Sequence, residues 1–179
     1  MTRTIPPARR EPELDFSDPL ADDFEALSRD RVPVRSLTAD DLGALIAIDR
    51  RITGRDRAAY YRRKVEEALE ESGIRVSLVA EIEGRVAGFI MARVDFGEFG
   101  HTEPEAVIDT IGVDPLHAQK AIGSALMSQL LANLSTLRVE RVRTEVEWNH
   151  FGLLGFLDRC GFRPSARLSF ARPLANYLP

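Results

Sequence analysis

Few side chains in this 179-residue chain have the types and spacing for chemistry. Asp109 is the first. In AVIDTIGV, a period-two reading puts Val107, Asp109, Ile111 and Val113 on one strand face. A carboxylate among apolar neighbours is costly unless it is paired or used, and burial favours its neutral form. Asp109 is therefore the leading candidate for a proton acceptor, with satisfaction by neighbouring hydroxyls or an arginine as the competing reading. Glu145 and Glu147 alternate with Arg143 and read as a solvated charged face. His101 sits in a loop and ranks below them. The single cysteine, Cys160, excludes an intrachain disulfide and reads as an inert buried thiol. His101, His117 and His150 are far apart and show no zinc-ligand spacing, so no metal is expected.

The elements that hold these residues follow from periodicity. Residues 32–37 read as a strand. Thr38, with Asp41 three residues on, starts a helix carrying Leu42, Leu45 and Ile46, and Gly54 interrupts it. A second helix spans 56–71. Strands at 75–82 and 85–96 flank Glu83-Gly84, a hairpin turn. A strand follows at 106–113, then a long helix to about 137 with Ile122, Leu126, Leu130 and Leu134 on one face. A strand at 139–148, a short helix at 149–159 and a strand at 167–172 complete the order β, α, α, β, β, β, α, β, α, β. This is an α/β class with a mixed, mostly antiparallel central sheet flanked by helices.

Residues 1–31 hold 5 basic and 8 acidic side chains and little periodicity, so they read as a mobile acidic leader before one domain at 32–179. The rest is nearly neutral, so no nucleic-acid face is implied. No apolar run reaches membrane-spanning length, and MTRTIPPARREPELDF has no apolar signal core. A cytoplasmic protein without membrane contact is the expectation.

Three segments together resemble the GNAT (Gcn5-related N-acetyltransferase) superfamily over roughly residues 32–174. They are VDPLHAQKAIGSALM, the stretch from Asn149 ending in DRCGF, and the hairpin LVAEIEGRVAGFI. The resemblance implies the GNAT acyl-CoA N-acyltransferase fold, with acetyl-CoA (or another acyl-CoA) as co-substrate and an amine of a protein, peptide or small molecule as acceptor. The alternative it leaves open is a CoA-sensing or interaction domain without catalysis. A homodimer is compatible with it.

In such a fold the CoA diphosphate faces a helix N-terminus, whose unpaired N–H groups and dipole attract anions. The turn corresponds to Ala118, Gln119, Lys120, Ala121, Ile122, Gly123 and Ser124. Only Gly123 matches the family pattern. Ala118 replaces Gln or Arg, and Ala121 replaces the first glycine, where a negative φ would let the alanine keep its role. The pantetheine arm is expected along Ile111, Gly112 and Val113, in a split between two strands. Gly112 marks either the bulge that opens the split or a close packing contact. Asn149 is either a contact to the arm or a plain helix cap. The resemblance places acceptor contacts within 52–64 and 97–105, with Tyr60 and Tyr61 as candidates and packing as the competing reading. Phe156 and Leu157 stand where the family carries a tyrosine acid.

Overall fold

The first described turn is fixed by Asp41, whose carboxylate accepts from the Thr38 N–H (2.8 Å) and hydroxyl (2.9 Å) and pairs with Arg35. The structure, a computed structural model, describes residues 31–71, 74–95, 104–118 and 120–166. Strand β1 (Val34–Ser36) leads through the single turn Ala39–Asp41 into helix α1 (Leu42–Thr53). Gly54 closes α1 at φ 70°, with Arg50 and Arg51 in the last turn. Helix α2 (Ala58–Glu66) runs on into a π-type turn, Glu67–Glu71.

Strands β2 (Leu78–Ile82) and β3 (Arg85–Asp95) form the expected hairpin. Glu83 and Gly84 both have positive φ, as a tight two-residue turn requires. Strand β4 (Glu105–Val113) pairs antiparallel with β3, and helix α3 (Ile122–Thr136) carries the chain to β5 (Arg141–Thr144), parallel to β4. The sheet order is β1-β2-β3-β4-β5. Helix α4 (Phe151–Arg159) follows.

One sheet face carries Val79, Phe89 and Met91, buried with Leu45, Ile48, Tyr61 and Val65 of α1 and α2. The other face meets α3, where Ile122, Leu126, Leu130 and Leu134 are all buried, as their four-residue spacing predicts. The chain divides into two compact units, Met1–Thr144 and Glu145–Pro179. Residues 1–30 of the expected leader and the expected strand at 167–172 lie outside the described residues.

Two expectations change. The strand at 139–148 is only Arg141–Thr144, so alternation does not govern Glu145 and Glu147. The register of β3 with β4 slips between Met91 and Ala92, which pair with Thr110 and Ile108. Asp109 is the extra residue of a β-bulge. The alternation therefore resets there, and Asp109 does not share a face with Ile111 and Val113.

Candidate functional site

Beyond the bulge, the described strand pairing of β4 on its β5 side stops. Its pairing with β5 runs from Glu105↔Arg141 to Ile108↔Thr144 and ends. The Thr144 hydroxyl caps that last rung by donating to the Ile108 carbonyl (3.0 Å). On the opposite edge the Asp114 N–H donates to the Ala87 carbonyl (2.8 Å). Bonded rungs alternate in an antiparallel pair. With Phe89 opposite Gly112 and Met91 opposite Thr110, the bonds to β3 fall at Gly112 and Thr110. The N–H and C=O groups of Ile111 and Val113 thus turn toward the gap, and those of Gly112 turn away from it.

Gly112 serves packing. A Cβ there would lie 2.7 Å from the Phe89 ring, and the bulge is three residues earlier at Asp109. Gly88 does the same on the other face. A Cβ on it would meet Ile122 at 2.6 Å and Leu126 at 3.2 Å, so the absent side chain lets the first turn of α3 press onto the sheet.

The approach to α3 is shaped by Asp114. Its buried carboxylate accepts from the Leu116 N–H (3.0 Å), capping the turn Pro115–His117, and pairs with Arg51 of α1 (2.6 Å). The first hydrogen bond into α3 from its described approach is Ala125 N–H to the Ala121 carbonyl (2.9 Å). Among the described residues, the N–H groups of Ile122, Gly123 and Ser124 are not spent on that approach, as the first turn of a helix leaves them. Ile122 is buried against the sheet and offers this turn only its main chain. Lys120 is exposed, with Nζ 3.5 Å from His117 Nδ1. Gln119 lies outside the described residues. Ala121 takes the left-handed conformation, φ 55° and ψ 17°, so the condition of a negative φ is not met.

Asp109 projects toward α2. It pairs with Arg93 of β3 and with Lys64 of α2 (3.5 Å), and Lys64 also reaches Glu67 (2.8 Å). The apolar surroundings expected from alternation are replaced by two cations, because the bulge turns the carboxylate to that side. Arg93, Lys64, Glu67 and Asp109, with Ser77 and Met91, line a pocket of about 230 Å³. Sequence reasoning missed this pocket. The available signal was Arg93 closing the otherwise apolar run GFIMARV.

Next to the bulge, the Thr110 hydroxyl bonds to the Tyr61 hydroxyl, which donates to Asp49 (3.0 Å). Arg57 clamps Asp49 through two nitrogens and lies 5.7 Å from the centres of both the Tyr60 and Tyr61 rings. Burial raises the Asp49 pKa, but the bonds from Arg57 and Tyr61 outweigh it and hold the carboxyl below its ordinary value. Burial pushes the Tyr61 phenol up to about 12, against the opposing bond from Thr110. Tyr61 is 1% exposed and edge-on to Phe89, so the acceptor contact expected of it is corrected to a core role. Tyr60 is only partly buried.

The structure therefore gathers Asp109, Ile111, Val113 and the Ala121–Ser124 turn in the first unit. Asn149 belongs to the second; its side chain is exposed and its carbonyl accepts from the Phe151 N–H (3.0 Å). Glu105, at the end of the 97–105 segment expected to contact the acceptor, pairs with Arg143. Among the described residues no cluster of metal-binding side chains occurs, and no helix is long and apolar enough to cross a membrane.

Residues 40–162 match the family model described as the acetyltransferase (GNAT) family. The chain is 28% identical over 140 residues to a mycothiol acetyltransferase from Clavibacter sepedonicus; the match covers 75% of this chain and 44% of that relative. Less than half the relative's length is thus spanned. Among solved structures, the aminoglycoside N-acetyltransferase AAC(6')-Iy in complex with CoA superposes with a TM-score of 0.68 at 15% identity, over 80% of this chain and 95% of that one. The ribosomal-protein-S18-alanine N-acetyltransferase from Escherichia coli gives 0.62 at 21% identity, over 75% and 79%. At these identities the structural likeness establishes the fold.

Proposed function

The chain belongs to the acetyltransferase (GNAT) family, and from that premise we propose that it transfers an acetyl group from acetyl-CoA to the primary amine of a small molecule. The observation that carries this reading is the end of β4–β5 pairing at Ile108↔Thr144, which leaves the Ile111 and Val113 main chain facing a gap. Four strand steps of about 3.3 Å separate Asp109 from Val113, roughly 13 Å in all. That stretch suits a pantetheine arm. At its far end the N–H groups of Ile122, Gly123 and Ser124, aided by Lys120 and Gln119, suit the diphosphate. The relatives named for small-molecule acceptors, mycothiol and aminoglycosides, favour a small amine over a protein.

The arm then brings the thioester to the bulge. Ile111, whose N–H faces the gap nearest Asp109, polarises the carbonyl. Asp109 takes a proton from the incoming ammonium, since an alkylamine with a pKa near ~10.4 is mostly protonated at neutral pH. The free amine attacks the carbonyl carbon and the C–S bond breaks. A thiol with a pKa of roughly 8.5 leaves without a dedicated acid, which suits a chain with Phe156 and Leu157 where the family has tyrosine.

The test follows thiol release from acetyl-CoA with a panel of small amines, beside calorimetric binding of acetyl-CoA. Asp109→Asn is expected to lower kcat by about 100-fold or more with acetyl-CoA affinity kept. Unchanged kcat removes Asp109 from the chemistry. Tight acetyl-CoA binding with no thiol release from any amine favours the non-catalytic reading, to which the alanine at 121 also speaks.

A further inference from the structure

The pocket beside Asp109 contains more charge than an amine alone needs. Arg93 and Lys64 both face the Asp109 carboxylate, and Asp109 is only 19% exposed. Lys64 is shared with Glu67 (2.8 Å) and Arg93 with Asp95 (3.3 Å). At rest, Asp109 helps neutralise both cations. In the proposed reaction it accepts a proton from the substrate ammonium and becomes neutral. Arg93 and Lys64 then lose an anionic partner in a partly desolvated site, which is costly unless another anion takes its place. Among the described residues, the pocket walls supply no acid beyond Asp109 and Glu67. Glu67 and Asp95 each still pair one cation, and a substrate carboxylate that bridges both would make good the rest.

We propose that this pocket, formed by Arg93, Lys64, Ser77 and Asp109, receives the acceptor and selects small amines that carry a carboxylate on the same skeleton, as an amino acid or short peptide does. The proposal rests on the acetyl-transfer reading of the same site. The ammonium sits at Asp109 and the carboxylate bridges Arg93 and Lys64, whose fork and point charge suit it. Proton transfer gives a neutral amine and a neutral Asp109. The N–C bond forms, the C–S bond breaks with its electron pair on sulfur, and the amine's second proton ends on the CoA thiolate. The substrate carboxylate keeps the two cations paired throughout. The volume of about 230 Å³ is below that of sites for drug-sized ligands and fits so compact an acceptor.

The experiment compares kcat/KM for the common amino acids and for their methyl esters, at saturating acetyl-CoA, by thiol release. The ester amine is the less basic of each pair, which by itself favours the ester. The expected result is a preference for the free acid of at least about tenfold, carried mainly in KM. Arg93→Gln and Lys64→Gln each pull the acid-to-ester ratio toward one, whereas a merely structural role lowers both rates together and leaves the ratio intact. Equal or faster reaction of the esters, turnover confined to amines without a carboxylate, or a ratio unmoved in both variants overturns the proposal while acetyl-transfer stands. So does acetyl-CoA binding with no amino acid acetylated. Failure to bind acetyl-CoA overturns the underlying reading, and this one with it.

Discussion

Ala121 holds φ 55° at the entrance to α3, a conformation that places Cβ against its own backbone and costs about 1 kcal/mol or more outside glycine. Ala121→Gly is therefore expected to stabilise the protein by about 1 kcal/mol, or roughly 2–4 °C in Tm by calorimetry. It also removes a methyl from the turn assigned to the diphosphate, so acetyl-CoA affinity is expected to rise; a lower Tm would remove the strain argument. Gly112 has the opposite balance. Gly112→Ala drives a Cβ to within 2.7 Å of the Phe89 ring and is expected to cost about 1–3 kcal/mol in urea unfolding. Pairing it with Phe89→Leu should recover part of that loss, because the clash is with the ring alone.

The elements are joined by buried polar contacts, and these set the pH limits of the fold. Asp49 of α1, Arg57 before α2, Tyr61 of α2 and Thr110 of β4 form one hydrogen-bonded set. Tyr61 ionises near 10 when unfolded and at about 12 when folded. The folded state thus holds its proton longer, so this contribution is whole below pH 10 and is lost as pH rises toward 12, up to about 2–3 kcal/mol. Tyr61→Phe is expected to flatten that alkaline loss in urea midpoints measured between pH 9 and 12, while costing about 1 kcal/mol at pH 7. Asp49 has the reverse sign. Its pKa is lowered from 3.8, so its contribution is present above that pH and disappears as the solution is acidified further. Much at this scale was legible in the sequence. Leu126, Leu130 and Leu134 announce α3 through their spacing, and Glu83-Gly84 announces the hairpin. The bulge was not legible, because it is a mismatch between two strands and leaves no mark in either one. Reading β4 as unbroken alternation gave Asp109 the wrong neighbours, and the pocket with Arg93 and Lys64 was lost with them. The burial of Tyr61 was equally hidden, since a tyrosine pair on a helix looks the same whether it faces the core or a ligand.

At the scale of the whole molecule, the order of elements and the family follow from patterns that local chemistry fixes, whereas the short reach of β5 depends on where a distant strand stops pairing. That early stop has a spectroscopic consequence. The amide protons of Thr110 and Gly112 are locked into the ladder with β3, but those of Ile111 and Val113 have no strand to bond among the described residues. In deuterated buffer the four should fall into two classes along consecutive residues, slow and fast by turns. Acetyl-CoA is expected to slow the fast pair selectively, so this short stretch of backbone doubles as a built-in occupancy reporter that needs no label and no acceptor.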